Sequence, residues 1–400
     1  MKRPRILFVD DDQFIRLALE KVLQGQVESW DISYADSGKQ AWSLHLQQPF
    51  DVIVSDVSMD ELSGIDLLHQ VRQRTPQTLR FLLTSHTDSC TRAQMATCAH
   101  MVLAKPLDRR QILQRISDAL WFVDSIEDTA IRETVLSSAL LPRLASTTDR
   151  LASLQLGNAC NELQYLQAVN RDVSWMTLAF QIIQMGSLRQ TIRDSLDQCR
   201  VDESLDASLF LSPATAHLCD DNVLSAIGAK SVATADLAMR IAKKFYSAEK
   251  VAIDAWWAGM LHDVGKLVLI SHNADYADYI ASRCLENNSC WAVERSTFGA
   301  SHAELGGLYL GLRGASRMIR EAVMYHHEPC RADSVDNPIL TAVHLASAAI
   351  GQRHFNRDWE SLDFDYLGRV GIDREIALRL MGVRSMSIRP GRIANVKKSI

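Results

Sequence analysis

Four short apolar runs, each closed by a polar side chain, constrain this chain more than any other feature. They are ILFV running into Asp10, DVIVS running into Asp56, RFLL running into Thr84, and MVLA running into Lys105; amphipathic stretches such as Phe14 to Leu23 lie between them. Apolar runs alternating with helical periodicity are the pattern of repeated βα units and a parallel sheet. ILFV is apolar at every position, so its strand must be covered on both faces, as central parallel strands are. Residues 1–120 therefore read as a doubly wound α/β domain with a five-stranded parallel sheet. Ligands of such sheets sit beyond the carboxyl ends of the strands. The residues to inspect are accordingly Asp10, Asp11 and Asp12 after the first strand, Asp56 after the third, Thr84 at the end of the fourth and Lys105 after the fifth.

After Pro106 the strand-like runs stop and helical spacing of apolar residues takes over. Residues 111–140 read as one long helix or two, with 121–140 as a helical connector, 141–350 as an all-α domain and 351–400 as a helical extension and tail. The basic tail holds Arg389, Arg392, Lys397 and Lys398. A length of 400 residues suits two or three domains, and 47% hydrophobic with 23% charged residues suits folded ones. With 43 Lys and Arg against 48 Asp and Glu, the net charge of -5 leaves no positive excess for a phosphate backbone, so no direct nucleic-acid partner is expected. No apolar stretch is long enough to cross a bilayer, and Met1 to Pro4 lead straight into a strand, so a cytoplasmic protein without a membrane partner is expected. The eight cysteines form no C-x-x-C pair and read as reduced, mostly buried thiols.

The strand-end residues carry a specific chemistry. Clustered carboxylates repel one another unless a cation neutralises them, and hard oxygen ligands suit Mg²⁺. With an ammonium and a hydroxyl beside them, such acids suit a mechanism in which Asp56 attacks a phosphoryl group and becomes an aspartyl-phosphate. A helix cap or a structural ion pair explains any one of these residues alone, but not four strand ends in agreement. Residues 5–120 resemble the receiver domains of two-component response regulators, which have a flavodoxin-like fold. The resemblance implies Mg²⁺ bound by Asp10, Asp11, Asp56 and the backbone carbonyl of Ser58, with Asp56 as phosphoacceptor. It also implies Thr84 and Lys105 as phosphate-stabilising switch residues, a cis Lys105–Pro106 bond, and a sensor histidine kinase as phosphodonor. Two positions depart from the family pattern. Asp60 stands where a proline is usual, and Val102 stands at the aromatic switch position.

The helical half is marked by histidines. GMLHDVGKLVL sets His262 beside Asp263, and His302, His326, His327 and His344 follow on otherwise apolar helices. Adjacent His and Asp can ligate one or both ions of a metal pair, whereas a lone core histidine is more often a hydrogen-bonded structural group. Together with FGASHAELGG, AVMYHHEP and TAVHLA, in that order, the segment resembles the HD superfamily, and more closely its HD-related output branch (HDOD), over about 138–350. Matched residue by residue, the family's first ligand histidine falls at Lys230 and its distal aspartate at Ser347, and YHHEPCRADSVD lacks the Gly-Tyr-Pro signature of cyclic-dinucleotide phosphodiesterases. The resemblance thus leaves a degenerate HD site of His262, Asp263, His302, His326 and His327, with no transition metal and no cofactor expected in the helical domain.

The resulting expectation is a phosphorylation-gated response regulator. Its helical output domain binds a downstream signalling protein, and its catalysis is confined to the receiver's own phosphorylation and dephosphorylation. Self-association into a homodimer is left open. The alternative is a receiver-controlled, metal-dependent HD-type phosphohydrolase or cyclic-dinucleotide phosphodiesterase acting through His262 and Asp263. A third reading is a dimeric scaffold that no longer switches. Trp256-Trp257 reads as a partner-binding pair or as packing, and Arg109-Arg110 as a guide for the connector or a solvated helix start.

Overall fold

The computed structural model describes residues 3–26, 29–85, 92–105, 109–126, 128–137, 141–142, 144, 147, 171–184, 220–245, 248–283, 290–333, 336–355 and 362–381. Pro106, the basic tail and most of 149–212 lie outside them, and with them the expected cis bond and tail contacts.

Strands β1 (Arg5–Val9), β2 (Asp31–Ala35), β3 (Val52–Asp56), β4 (Leu79–Thr84) and β5 (Met101–Ala104) form one parallel sheet in the order β2-β1-β3-β4-β5. The register sets Val9 opposite Ser55, Asp56 opposite Leu83 and Thr84 opposite Ala104, so the carboxyl ends of β1, β3, β4 and β5 meet at one edge. Alternation along the strands builds two cores. Ile6, Phe8, Val54, Phe81 and Leu83 pack on one face with Leu19, Leu23, Ile112 and Ile116. Leu7, Val9, Ile53 and Leu82 pack on the other with Leu67, Leu68, Val71 and Met95.

The covering helices are α1 (Gln13–Leu23), α2 (Gly38–Gln47), α3 (Gly64–Arg74), α4 (Arg92–Cys98) and α5 (Arg109–Asp124). Side-chain N-caps start three of them: Asp12 accepts from the N–H of Phe14, Ser37 from Gln40 and Ser63 from Asp66. The connector is two helices rather than one. Helix α5 runs past residue 120 to Asp124, and α6 (Thr129–Ser137) restarts where Asp128 Oδ1 accepts the N–H groups of Ala130 and Ile131.

Beyond it lie α7 (Val173–Gln184), α8 (Asp221–Phe245), α9 (Glu249–Leu261), α10 (Val264–His272), α11 (Ala274–Arg283), α12 (Cys290–Phe298), α13 (His302–Leu312), α14 (Arg317–Met324), α15 (Pro338–Phe355), α16 (Phe364–Arg369) and α17 (Arg374–Leu380). Helix α8 packs on α9 and α15, α10 on α13, and α13 on α14. Gly265 makes the α10–α13 crossing possible, since a Cβ there would lie 1.9 Å from the carbonyl oxygen of His302. Trp257 is core packing, while the partly exposed Trp256 donates its indole N–H to Asp236 Oδ1 at 3.1 Å. Among the described residues, Cys98 is a buried free thiol and Cys330, in the short turn after Pro329, is a free thiol at the surface. No helix among the described residues is long and apolar enough to cross a membrane.

Candidate functional site

The parallel register brings the strand-end residues into one crevice. Asp10 and Asp56 are both buried, and the single ammonium of Lys105 bridges them, donating to Asp10 Oδ2 at 2.9 Å and contacting Asp56 Oδ1. The remaining oxygens are held by the chain: Asp10 Oδ1 accepts the N–H of Asp12 at 3.0 Å, and Asp56 Oδ2 accepts that of Ser58 at 2.8 Å. Asp11 is exposed at the rim, and Asp12 is committed to capping α1. Thr84 closes β4, its Oγ1 donating to the carbonyl of Ser85 at 3.2 Å. Burial raises the Asp56 carboxyl above its ordinary value, and the charge of Asp10 adds to this against the hydrogen bond from Lys105. For Lys105, burial opposes the charge, but its bonds to Asp56 and Asp10 outweigh that and raise it.

Two carboxylates on one ammonium leave an excess negative charge among oxygen donors, which suits a hard divalent cation, with Asp10, Asp11 and Asp56 as the side chains able to hold it. Gly64 is a residue that the sequence reading missed. A Cβ there would fall 1.9 Å from the carbonyl oxygen of Asp56, so only glycine lets α3 begin directly beneath the crevice. The two departing positions lie as follows: Asp60 is exposed in the loop after β3, and Val102 is buried in β5.

In the helical half a second cluster forms around Asp263, between α9 and α10. Its Oδ2 accepts from Lys230 Nζ on α8 and from Lys266 Nζ on α10, each at 2.9 Å, while His262 Nε2 lies 3.4 Å away. Its Oδ1 faces His302 Nε2 at 3.1 Å, and His302 Nδ1 bonds Glu294 Oε2 at 2.5 Å. Tyr276 donates its hydroxyl to the other Glu294 oxygen at 2.7 Å. His327 Nε2 meets His302 Nε2 at 3.2 Å.

The protonation states follow from these partners. Burial would raise the Asp263 carboxyl, but the ammonium groups of Lys230 and Lys266, with His302, hold it well below the carboxylate range. Glu294 is lowered to about 2 against its own burial, chiefly by His302. For His302, burial opposes the charge, yet Glu294 and Asp263 raise its pKa. Burial lowers His262 to about 3 and pushes His326 and His327 well down, so these rings are neutral.

All five predicted members of this site are therefore brought together, and His344 supports them from outside. Its Nδ1 donates to the carbonyl of His326 at 2.7 Å and its Nε2 accepts from the N–H of Asp363 at 3.1 Å. Lys266 and Glu294 were not singled out from sequence. The i,i+3 spacing of Lys266 from Asp263 was the available signal for the first, and none existed for the second. Ligand atoms of His262, Asp263 and His326 lie within 4.8 Å of one another, as do those of His302, His326 and His327. The metal pair of the HD pattern nevertheless does not fit, because two ammonium groups already occupy Asp263 Oδ2.

A junction links the two halves. Arg80, buried at the start of β4, donates through Nη2 to the Leu136 carbonyl near the end of α6 at 3.4 Å, and His100 Nε2, just before β5, bonds the same oxygen at 3.0 Å. Leu178 on α7 packs into the receiver core beside Met95 and Ala96, and Gln181 donates to the carbonyl of Ala99 at 3.3 Å.

Comparison with known proteins agrees with this division. The family model described as a response regulator receiver domain matches residues 6–117, and that of the HDOD domain matches residues 210–329, a narrower span than the 141–350 expected for the output domain. The response regulator protein PilR of Pseudomonas aeruginosa is 33% identical over 121 residues, 30% of this chain and 27% of PilR. The transcriptional regulatory protein ZraR of Escherichia coli is 31% identical over 123 residues, 30% of this chain and 27% of ZraR. This chain thus spans about a quarter of the length of either relative. A solved receiver domain of an HD domain-containing protein from Pseudomonas fluorescens Pf-5 is 28% identical, covering 31% of this chain and 99% of that one, with a TM-score of 0.29. Five parallel strands with acids and a lysine at their carboxyl ends, followed by a helical half with HDVGK at the α9–α10 junction and YHHEP in the turn after α14, identify the chain as one that carries a response regulator receiver domain and an HDOD domain.

Proposed function

We propose that Asp56 accepts a phosphoryl group from a sensor histidine kinase and that the helical domain answers by changing how it binds a downstream signalling protein. One observation carries the first half: a single ammonium, Lys105, bridges two buried acids at the ends of β1 and β3. In the reaction a bond forms between an Asp56 oxygen and phosphorus as the donor's bond to phosphorus breaks. Mg²⁺, held by Asp10, Asp11, Asp56 and the Ser58 carbonyl, supplies charge neutralisation when bound. Lys105 transfers its hydrogen bond from Asp56 to a phosphoryl oxygen, and Thr84 donates a second one. Burial that raises Asp56 also makes its carboxylate the more basic nucleophile.

The relay is supported by the layout of two strands. Strand β4 ends in Thr84 and begins beside Arg80; β5 leads into Lys105 and follows His100. Each strand therefore has a phosphate-facing residue at one end and a group bonded to the Leu136 carbonyl of α6 at the other. A phosphoryl group that draws in Thr84 and Lys105 acts on the strands that hold the connector, and so shifts the balance between arrangements of α6 and the helices behind it. A non-catalytic output domain is supported by Lys230 and Lys266 sitting on the carboxylate that a hydrolase would offer to its metals.

The test uses the full chain with acetyl phosphate and Mg²⁺, then a pull-down with the phosphorylated and unphosphorylated forms. The wild type gains one phosphoryl group and changes its set of bound proteins, whereas Asp56→Ala does neither. Equal phosphorylation of both proteins would overturn the receiver mechanism, and an unchanged bound set would overturn the gating.

A further inference from the structure

Asp263 is a wholly buried carboxylate for which the proposed function has no use, and the way it is neutralised deepens the non-catalytic reading of its domain, on which this inference rests. Burying a carboxylate is costly unless fixed charges and hydrogen bonds compensate it. Here the compensation comes from separate helices: Lys230 from α8 and Lys266 from α10 on Oδ2, and His302 from α13 on Oδ1. Two ammonium groups on one oxygen repel each other, so the arrangement holds only because the carboxylate attracts both.

A second feature of the same pocket is unexplained by protein contacts alone. His262 and His326 give their Nδ1–H groups to carbonyls in their own turns, Gly259 and Val323, each at 2.7 Å. Their Nε2 atoms are left buried without a hydrogen-bond partner, as is Asp263 Oδ1, which His302 faces as a charge contact without a hydrogen bond. Both rings are neutral, so each Nε2 presents a lone pair, and the ligand atoms of His262, Asp263 and His326 lie within 4.8 Å of one another. Buried polar atoms without partners are rare and costly. Inward-facing imidazole lone pairs beside a carboxylate are donors suited to a cation, yet the positive charge in the pocket comes from lysine.

We infer that the ammonium groups of Lys230 and Lys266 do the structural work of a metal ion: they supply the charge that keeps Asp263 ionised and draw α8 and α10 around it, so that the domain folds without a metal. The imidazole donors remain, so removing one ammonium converts the pocket into one that needs a divalent cation. Lys230 is the side chain to remove, because it is partly exposed and α8 reaches the pocket through it.

The experiment is thermal unfolding of the full chain with Asp10→Asn and Asp56→Asn in place, so that the receiver crevice takes up no ion. In that background, the melting temperature with Lys230 intact is the same in EDTA and in Mn²⁺ or Zn²⁺. Lys230→Ala melts lower in EDTA by roughly 5–10 °C, regains at least half of the loss in Mn²⁺ or Zn²⁺, and retains about one ion per chain after desalting. Adding Asp263→Asn to Lys230→Ala removes the recovery, and Lys230→Arg, which keeps the charge, responds to neither ion nor chelator. If Lys230→Ala does not fold in EDTA, refolding from urea with and without Zn²⁺ gives the same reading.

Loss of stability without recovery, no loss at all, or recovery that survives Asp263→Asn overturns the lysine-for-metal inference while leaving the non-catalytic reading intact. A stoichiometric transition metal in the protein with Lys230 intact, its removal lowering the melting temperature, overturns both.

Discussion

The two halves of this molecule each contain a buried carboxylate bonded to lysine, in opposite proportions. In the receiver crevice one ammonium, Lys105, serves two acids, Asp10 and Asp56, with the exposed Asp11 beside them. In the helical cluster two ammonium groups, Lys230 and Lys266, serve one oxygen of Asp263. The first arrangement leaves negative charge at the carboxyl ends of the strands, where the proposed function brings a divalent cation and a phosphoryl group together. The second leaves positive charge in a closed pocket, which repels a cation. The same functional groups thus make a reactive centre or a structural one according to their ratio and their access to water.

The largest effects that can break this comparison concern chemistry. Asp56→Asn is expected to abolish phosphorylation by acetyl phosphate, read by intact mass. Chelating Mg²⁺ should do the same to the wild type without moving the unfolding of the helical half. A helical transition that falls on chelation would show that the second centre also depends on a metal. Next come the lysines themselves. Lys266→Met leaves the buried Asp263 with one of its two ammonium partners and should cost about 3 kcal/mol of stability in urea unfolding. Lys105→Met should change stability less, because Asp10 and Asp56 each keep a backbone N–H bond and the raised Asp56 carboxyl can take up a proton, but should slow phosphoryl acceptance about 10²-fold through lost charge stabilisation. Equal stability losses in the two variants would remove the distinction drawn between the sites.

How much of this was legible in the sequence also differs between the halves. The receiver crevice was readable because parallel strands put their carboxyl ends at one edge whatever the loops do, so Asp10, Asp56, Thr84 and Lys105 could be grouped from position alone. What the runs did not show was β2. DISYA is an edge strand in which only Ala35 is buried, so it has no continuous apolar pattern. Arg80 was equally hidden, since a charged residue at the start of RFLL looks solvent-facing, whereas it is buried and held by the carbonyls of Cys98, Pro76, Thr78 and Leu136. In the helical half the HDVGK and YHHEP segments announced themselves, but which groups would meet depends on how α8, α12 and α13 cross. Glu294, in a stretch with no motif, became the partner of His302 only through that packing.

Acid offers a graded test of the same contrast. In the helical cluster Asp263 and Glu294 have lowered folded pKa values, that of Glu294 at about 2. Their contribution to stability is present above their unfolded values and is lost as pH falls towards about 2. His262, lowered to about 3, together with His326 and His327, stays neutral when folded, whereas the unfolded chain binds protons around 6.5, so stability is also lost as pH falls below 6.5. His302 runs the other way, with a raised pKa whose contribution is full below 6.5 and fades as pH rises past its folded value. In the receiver, His45, His69 and His100 are lowered and push towards acid instability, but the raised Asp56 is relieved by protonation. Hydrogen exchange at decreasing pH should therefore show α8, α10 and α13 opening before β1, β3 and β4. The reverse order would mean that the buried histidines are compensated in some other way.

The smallest expected effect, and the one that joins the two halves, lies at the Leu136 carbonyl. His100→Gln shortens the bond donor that reaches α6 from the start of β5 but leaves Arg80 in place, so its cost to stability should be about 1 kcal/mol. Phosphorylation of Asp56 should proceed normally in this variant, because His100 lies at the opposite end of β5 from Lys105. What should change is communication. In the wild type, phosphorylation is expected to alter amide exchange in α6 and α7, whereas in His100→Gln the α6 amides exchange faster from the outset and the phosphoryl-dependent change shrinks. A variant that is phosphorylated normally and responds in α6 as the wild type does would separate the strand ends from the relay, leaving the packing of Leu178 against Met95 and Ala96 on α4 as the path between the domains.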